Sequence, residues 1–71
     1  MIDNYVNNLC NIMNNMGLEY DSMLPKLEYQ HARNEIKHFI ENCGYLVKKE
    51  KYNEFKDYCR LTFEKYLPKE V

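Results

Sequence analysis

Gly17, Pro25, Gly44 and Pro68 cut this chain into three stretches, and within each stretch the apolar side chains recur at helical spacing. At 100° per residue, Ile2, Tyr5, Val6, Leu9, Ile12, Met13 and Met16 fall on one stripe. Tyr29, Ala32, Ile36, Phe39, Ile40 and Cys43 line a second, and Tyr52, Phe55, Cys59, Thr62, Phe63, Tyr66 and Leu67 a third. No run sustains the period-two alternation of a strand, although Tyr45 to Val47 suits a brief extended turn. The expectation is an all-α single domain spanning residues 1–71, a small three-helix bundle with helices over about 2–16, 24–43 and 48–67. A helical hairpin completed by homodimerisation is the competing architecture.

The punctuating residues set the expected boundaries. Gly17 is read as the C′ residue of the first helix, in the left-handed conformation that glycine takes without strain, and Gly44 closes the second in the same manner. Pro25 suits a first helical turn, with Leu24 biased away from helix and Ser22 as a cap. In the connection between the first two helices, Leu18, Tyr20 and Met23 are expected to fold back over the core.

Seventy-one residues lie near the lower limit at which one core offsets the entropy of ordering a chain, so self-association is an expectation from size alone. The net charge is −1, unevenly spread: the first basic side chain is Lys26, and the last third is modestly basic. That is a weak footprint for nucleic acid. No apolar run reaches the length of a membrane span and no signal-peptide layout opens the chain, which places it by expectation in a cytoplasm, or in a host's cytoplasm if it is viral. Cys10, Cys43 and Cys59 are odd in number, lack Cys-x-x-Cys spacing and sit on or beside apolar stripes, as free thiols in a reducing compartment do.

Opposite its apolar stripe the first helix carries Asn4, Asn7, Asn8, Asn11, Asn14 and Asn15. Asparagine is a poor helix former, whereas exposed helix faces ordinarily carry Lys and Glu. A neutral hydrogen-bonding face is covered by a partner at lower cost than a charged one. The richness in Asn, Lys, Tyr, Ile, Met and Phe also matches A/T-rich codons, so the amide face has two readings, an interface or a genome bias. On the third helix Leu61 lies outside the core stripe, ringed by Glu54, Asp57 and Glu64 with Tyr58 beside it, like the anchor of a small protein-binding patch. Tyr58, Leu61, Glu54, Asp57, Asn4, Asn8 and Asn11 are therefore the candidate partner-binding residues.

Lys49, Lys56 and Arg60 form a basic edge that would carry nucleic-acid contacts, but the outward face of that helix is acidic where a recognition helix presents Arg, Lys, Asn or Gln. Glu28, His31, Glu35 and His38 repeat a Glu-x-x-His spacing, which makes His31, Glu35 and His38 the nearest thing to a metal set. Carboxylates from neighbouring helices to complete that set are missing, and neither a metal nor a cofactor is expected. With one serine, no glycine-rich phosphate loop and no nucleophile beside a base, catalysis is not expected either. The reading is a non-enzymatic helical module that docks on another protein, as an inhibitor or adaptor encoded by a phage or mobile element. A small dimeric transcriptional regulator is the alternative.

Overall fold

The computed structural model describes the backbone of residues 2–68 and the side chains of residues 5–68. The side chains of Ile2, in the first stripe, and of Asn4, in the amide face, lie outside the described residues. Three helices form, α1 (Ile2–Tyr20), α2 (Lys26–Cys43) and α3 (Tyr52–Lys65), with two 3-10 turns, Gly44–Leu46 and Lys49–Lys51, between α2 and α3. Each helix packs on the other two, and no strand occurs among the described residues. The three apolar seams meet within one protomer, so the fold is the three-helix bundle and not a hairpin awaiting a second copy.

The first helix does not end at Gly17. It continues for another turn to Tyr20, and neither glycine adopts positive φ. Gly17 is buried, and a Cβ there would lie 2.7 Å from the Tyr29 hydroxyl oxygen and 3.2 Å from Phe63 Cζ. The residue is needed for its missing side chain, because α2 and α3 approach the α1 backbone at this level. Prolonging α1 carries Tyr20 into the core, where its ring stacks on Phe63 at 5.5 Å and its hydroxyl donates to Glu64 Oε2 at 2.7 Å. The helix stops where the Tyr20 carbonyl accepts from both Met23 and Leu24 N–H and Pro25 prevents continuation.

Pro25 stands one position before α2, at φ −57° and ψ 149°, and its carbonyl accepts the first helical bond, from Tyr29 N–H. Ser22 lies in the preceding turn and caps nothing. Of the residues expected to fold back, Tyr20 is buried with its neighbour Leu24, but Leu18 and Met23 point outward. Gly44 keeps right-handed helical angles (φ −56°, ψ −35°) and admits Leu9, whose Cδ1 would stand 3.2 Å from an added Cβ. Tyr45 and Leu46 complete a 3-10 turn, so of the expected extended stretch only Val47 is extended, followed by Lys48. The expected third helix likewise splits: Lys49–Lys51 is a separate 3-10 turn, and α3 begins at Tyr52 and ends two residues before Leu67.

Leu9, Met13, Tyr20, Leu24, Ala32, Ile36, Ile40, Phe55, Cys59 and Phe63 form the core. Full burial of each large side chain contributes about 1.5–3 kcal/mol before ordering costs. Phe63 anchors it, fully buried between the rings of Tyr20 and Tyr29, each centred 5.5 Å away. Thr62, the one buried polar residue among those described, donates to the Tyr58 carbonyl at 2.8 Å and leaves no orphaned hydroxyl.

Candidate functional site

Tyr29 and Phe63 close tightly on Gly17, whereas the α2–α3 seam opens at its other end. There α2 and α3 are joined by eight residues that are not α-helical, and the wedge of two 3-10 turns leaves a groove of about 560 Å³ between the helices. Phe39 and Cys43 of α2, Leu46 and Val47 of the connection, and Phe55 and Tyr58 of α3 line it, with Lys51 and Glu54 at its rim. Phe39, Phe55 and Tyr58 pack as an aromatic triplet, Phe39 and Tyr58 the closest pair with ring centres 4.9 Å apart. Leu46, although it lines the groove, is 64% exposed, and Tyr45, its neighbour in the same 3-10 turn, is 69% exposed. Lys51 Nζ and Glu54 Oε2, one turn apart, pair at 3.3 Å in open solvent.

The opposite end of this seam is tied shut. Lys65 Nζ bridges both Glu35 carboxylate oxygens at 2.6 and 2.8 Å, and the Tyr66 hydroxyl donates to Glu35 Oε1 at 2.9 Å. Lys65 above all, with Tyr66 in support, holds the Glu35 carboxyl below the usual carboxylate range, against the opposing effect of burial. Tyr58 lies between this bridge and the groove; burial, and next the Glu35 charge, push its phenol above its ordinary value.

The residues expected to form one patch on α3 all lie on that helix, and two of them also line the groove. Tyr58 and Glu54 belong to the groove. Leu61 is 61% exposed but does not line it, and Asp57 is engaged by Arg60 at 3.0 Å. Phe39, Cys43, Leu46 and Val47 were assigned in sequence to a core stripe or to an apolar turn, and the wedge between the helices makes them groove walls. The available signal was Tyr45-Leu46-Val47, three consecutive apolar residues in a connection too short to bury them all.

Asn7, Asn8, Asn11, Asn14 and Asn15 are all exposed, and Asn14 Oδ1 accepts from Arg33 Nη2 at 3.0 Å. Of the basic edge, Lys56 and Arg60 lie one turn apart on α3, Arg60 pairs with Asp57 at 3.0 Å, and Lys49 sits on the 3-10 turn that precedes the helix. His31, Glu35 and His38 line a shallow depression with Asn34 and Tyr66, where the Glu35 carboxylate is already neutralised by Lys65. Among the described residues no three His, Cys, Asp or Glu side chains are gathered as metal ligands, and no helix is long and apolar enough to cross a membrane. All three cysteines are free thiols, Cys59 buried and Cys10 and Cys43 half-buried.

No known protein family matches this sequence, and no curated protein or solved structure is significantly similar to it. Any function must therefore be argued from the chain itself.

Proposed function

We propose that this protein is a non-enzymatic helical interaction module whose contact surface is the α2–α3 groove. The observation that carries the reading is an aromatic-lined recess with one of its own lining residues, Leu46, largely exposed. An apolar recess inside a polar rim suits the anchor-and-rim arrangement of protein interfaces, in which a few large side chains fill a pocket and the surrounding contacts exclude water. Its occupant is a protein segment that projects adjacent large apolar side chains into the groove and meets Lys51 and Glu54 with opposite charges. Blocking or adapting a host protein is the role that the chain's small size and A/T-rich composition suit best.

The test is selection of binders from a displayed peptide library, followed by mapping of bound peptides through amide and methyl NMR shifts. Groove binders should carry paired Leu, Phe or Tyr residues, perturb Phe39, Cys43, Val47 and Tyr58, and lose affinity by about tenfold or more with Leu46→Asp. Perturbations confined to the amide face of α1 or to Leu61 would refute the assignment. Duplex DNA retained at low salt and released steeply as salt rises would favour the regulator reading instead.

A further inference from the structure

We infer that the segment the groove accepts belongs to a second copy of this chain, giving a two-fold symmetric dimer. The inference rests on the groove being a docking surface and names what docks there. Two observations on the same lip of the bundle point to it. The knob and the hole are side by side, since Leu46 is largely exposed while its own flank helps to line the recess, and Tyr45 next to it is more exposed still. A two-fold axis beside this lip inserts each copy's Leu46 and Tyr45 into the other's recess, and a self-complementary patch of this kind is what an isologous interface requires.

The rim repeats the pattern in charge. Lys51 and Glu54 stand one turn apart at the mouth, each more than half exposed. Antiparallel apposition about the same axis sets Lys51 of one copy against Glu54 of the other, twice over. The chain as a whole is nearly neutral at −1, so two copies approach without bulk repulsion. The lip is small, and a patch of this size belongs to the weak, reversible class of interface.

Sedimentation equilibrium of the full chain over a wide concentration range tests the inference. The expected result is a reversible monomer–dimer equilibrium with Kd of about 10–100 µM, the range of a small transient contact. Leu46→Asp should weaken it by about tenfold or more, while Leu61→Asp and Asn8→Lys leave it unchanged. The rim gives a sharper arm. Lys51→Glu alone and Glu54→Lys alone should each weaken self-association, whereas an equimolar mixture of the two variants should recover a heterodimer. The Lys51–Glu54 pair within one protomer cannot produce that rescue. A chain that stays monomeric at millimolar concentration, a dimer that survives Leu46→Asp, or a mixture no better than its components overturns the second copy as occupant. If groove-binding peptides are still selected in those cases, the docking surface stands and only its occupant was wrong. If no peptides are selected either, both readings fall together.

Discussion

Gly17 offers the most discriminating test of the fold, because two accounts of it predict different responses to the same substitution. In the structure Gly17 is a right-handed helical residue, and alanine there should gain about 1 kcal/mol of helix propensity. Against that gain, the new methyl would stand 2.7 Å from the Tyr29 hydroxyl oxygen and 3.2 Å from Phe63 Cζ. Overpacking of this kind costs about 1–3 kcal/mol. The net expectation for Gly17→Ala is roughly 0–2 kcal/mol of destabilisation, up to several degrees in Tm for a domain this small. Removing the offending oxygen with Tyr29→Phe leaves ring carbon 29 at 3.5 Å, an ordinary contact, and only the Phe63 contact to be relieved by a small shift. In that background Gly17→Ala should be neutral or stabilising by up to about 1 kcal/mol, a coupling of about 1–2 kcal/mol across the double-mutant cycle. Urea unfolding of the four proteins, followed by far-UV circular dichroism, measures it. If Gly17 were a left-handed C′ residue, alanine would cost about 1–2 kcal/mol whatever stands at position 29. Equal costs in the two backgrounds, within about 0.5 kcal/mol, would therefore refute the close-approach explanation.

Tyr20 should report on the same end of the bundle. Burial and the hydrogen bond to Glu64 push its phenol from 10.0 to about 12, so its contribution is complete below pH 10 and lost as pH rises towards 12. Tyr20→Phe should cost about 1 kcal/mol near neutrality and flatten that alkaline fall in stability; an unchanged slope would count against the Tyr20–Glu64 bond. The Glu35 bridge has the opposite sign: its folded carboxyl lies below the ordinary 4.5, so its stabilisation is present above that value and is lost as pH falls through the folded pKa. In Lys65→Met the Glu35 carboxyl, followed by NMR, should titrate higher, with only a small loss of stability because both partners are more than a third exposed and screened by solvent. Burial pushes the Cys59 thiol up to about 12, so thiol reagents should modify Cys10 and Cys43 first and Cys59 only at the rate of global opening. A Cys59 that reacts as fast as Cys43 would contradict its burial.

The stripes of the three helices were legible in sequence because helical periodicity is set by which side must avoid water, and that side became the core. The ends were less legible. A glycine that must turn left and a glycine that must admit a neighbouring ring look alike in one dimension, and nothing near Gly17 announces that Tyr29 and Phe63 will arrive there. The start of the third helix was missed for a related reason. Continuing the α3 repeat backwards runs one helix through Lys49, whereas the chain tightens into a separate 3-10 turn, Lys49–Lys51, before Tyr52. The candidate site suffered most, since a groove exists only in the gap between two helices. Tyr58 and Glu54 were singled out from their own helix for a surface around Leu61, and Phe39, Val47 and Leu46 line the groove only because two helices and their connection meet there.

The ring sandwich at Gly17 and the open recess at the far end divide the labour of this small fold. One pole is interlocked so tightly that a single methyl disturbs it. The other opens to solvent, and its rim residues Leu46, Lys51 and Glu54 lie outside the core, so substitutions at that rim can retune recognition while the interlocked pole preserves the architecture. A lineage under pressure to change what it grips has, in this arrangement, a surface it can rewrite without first having to relearn how to fold.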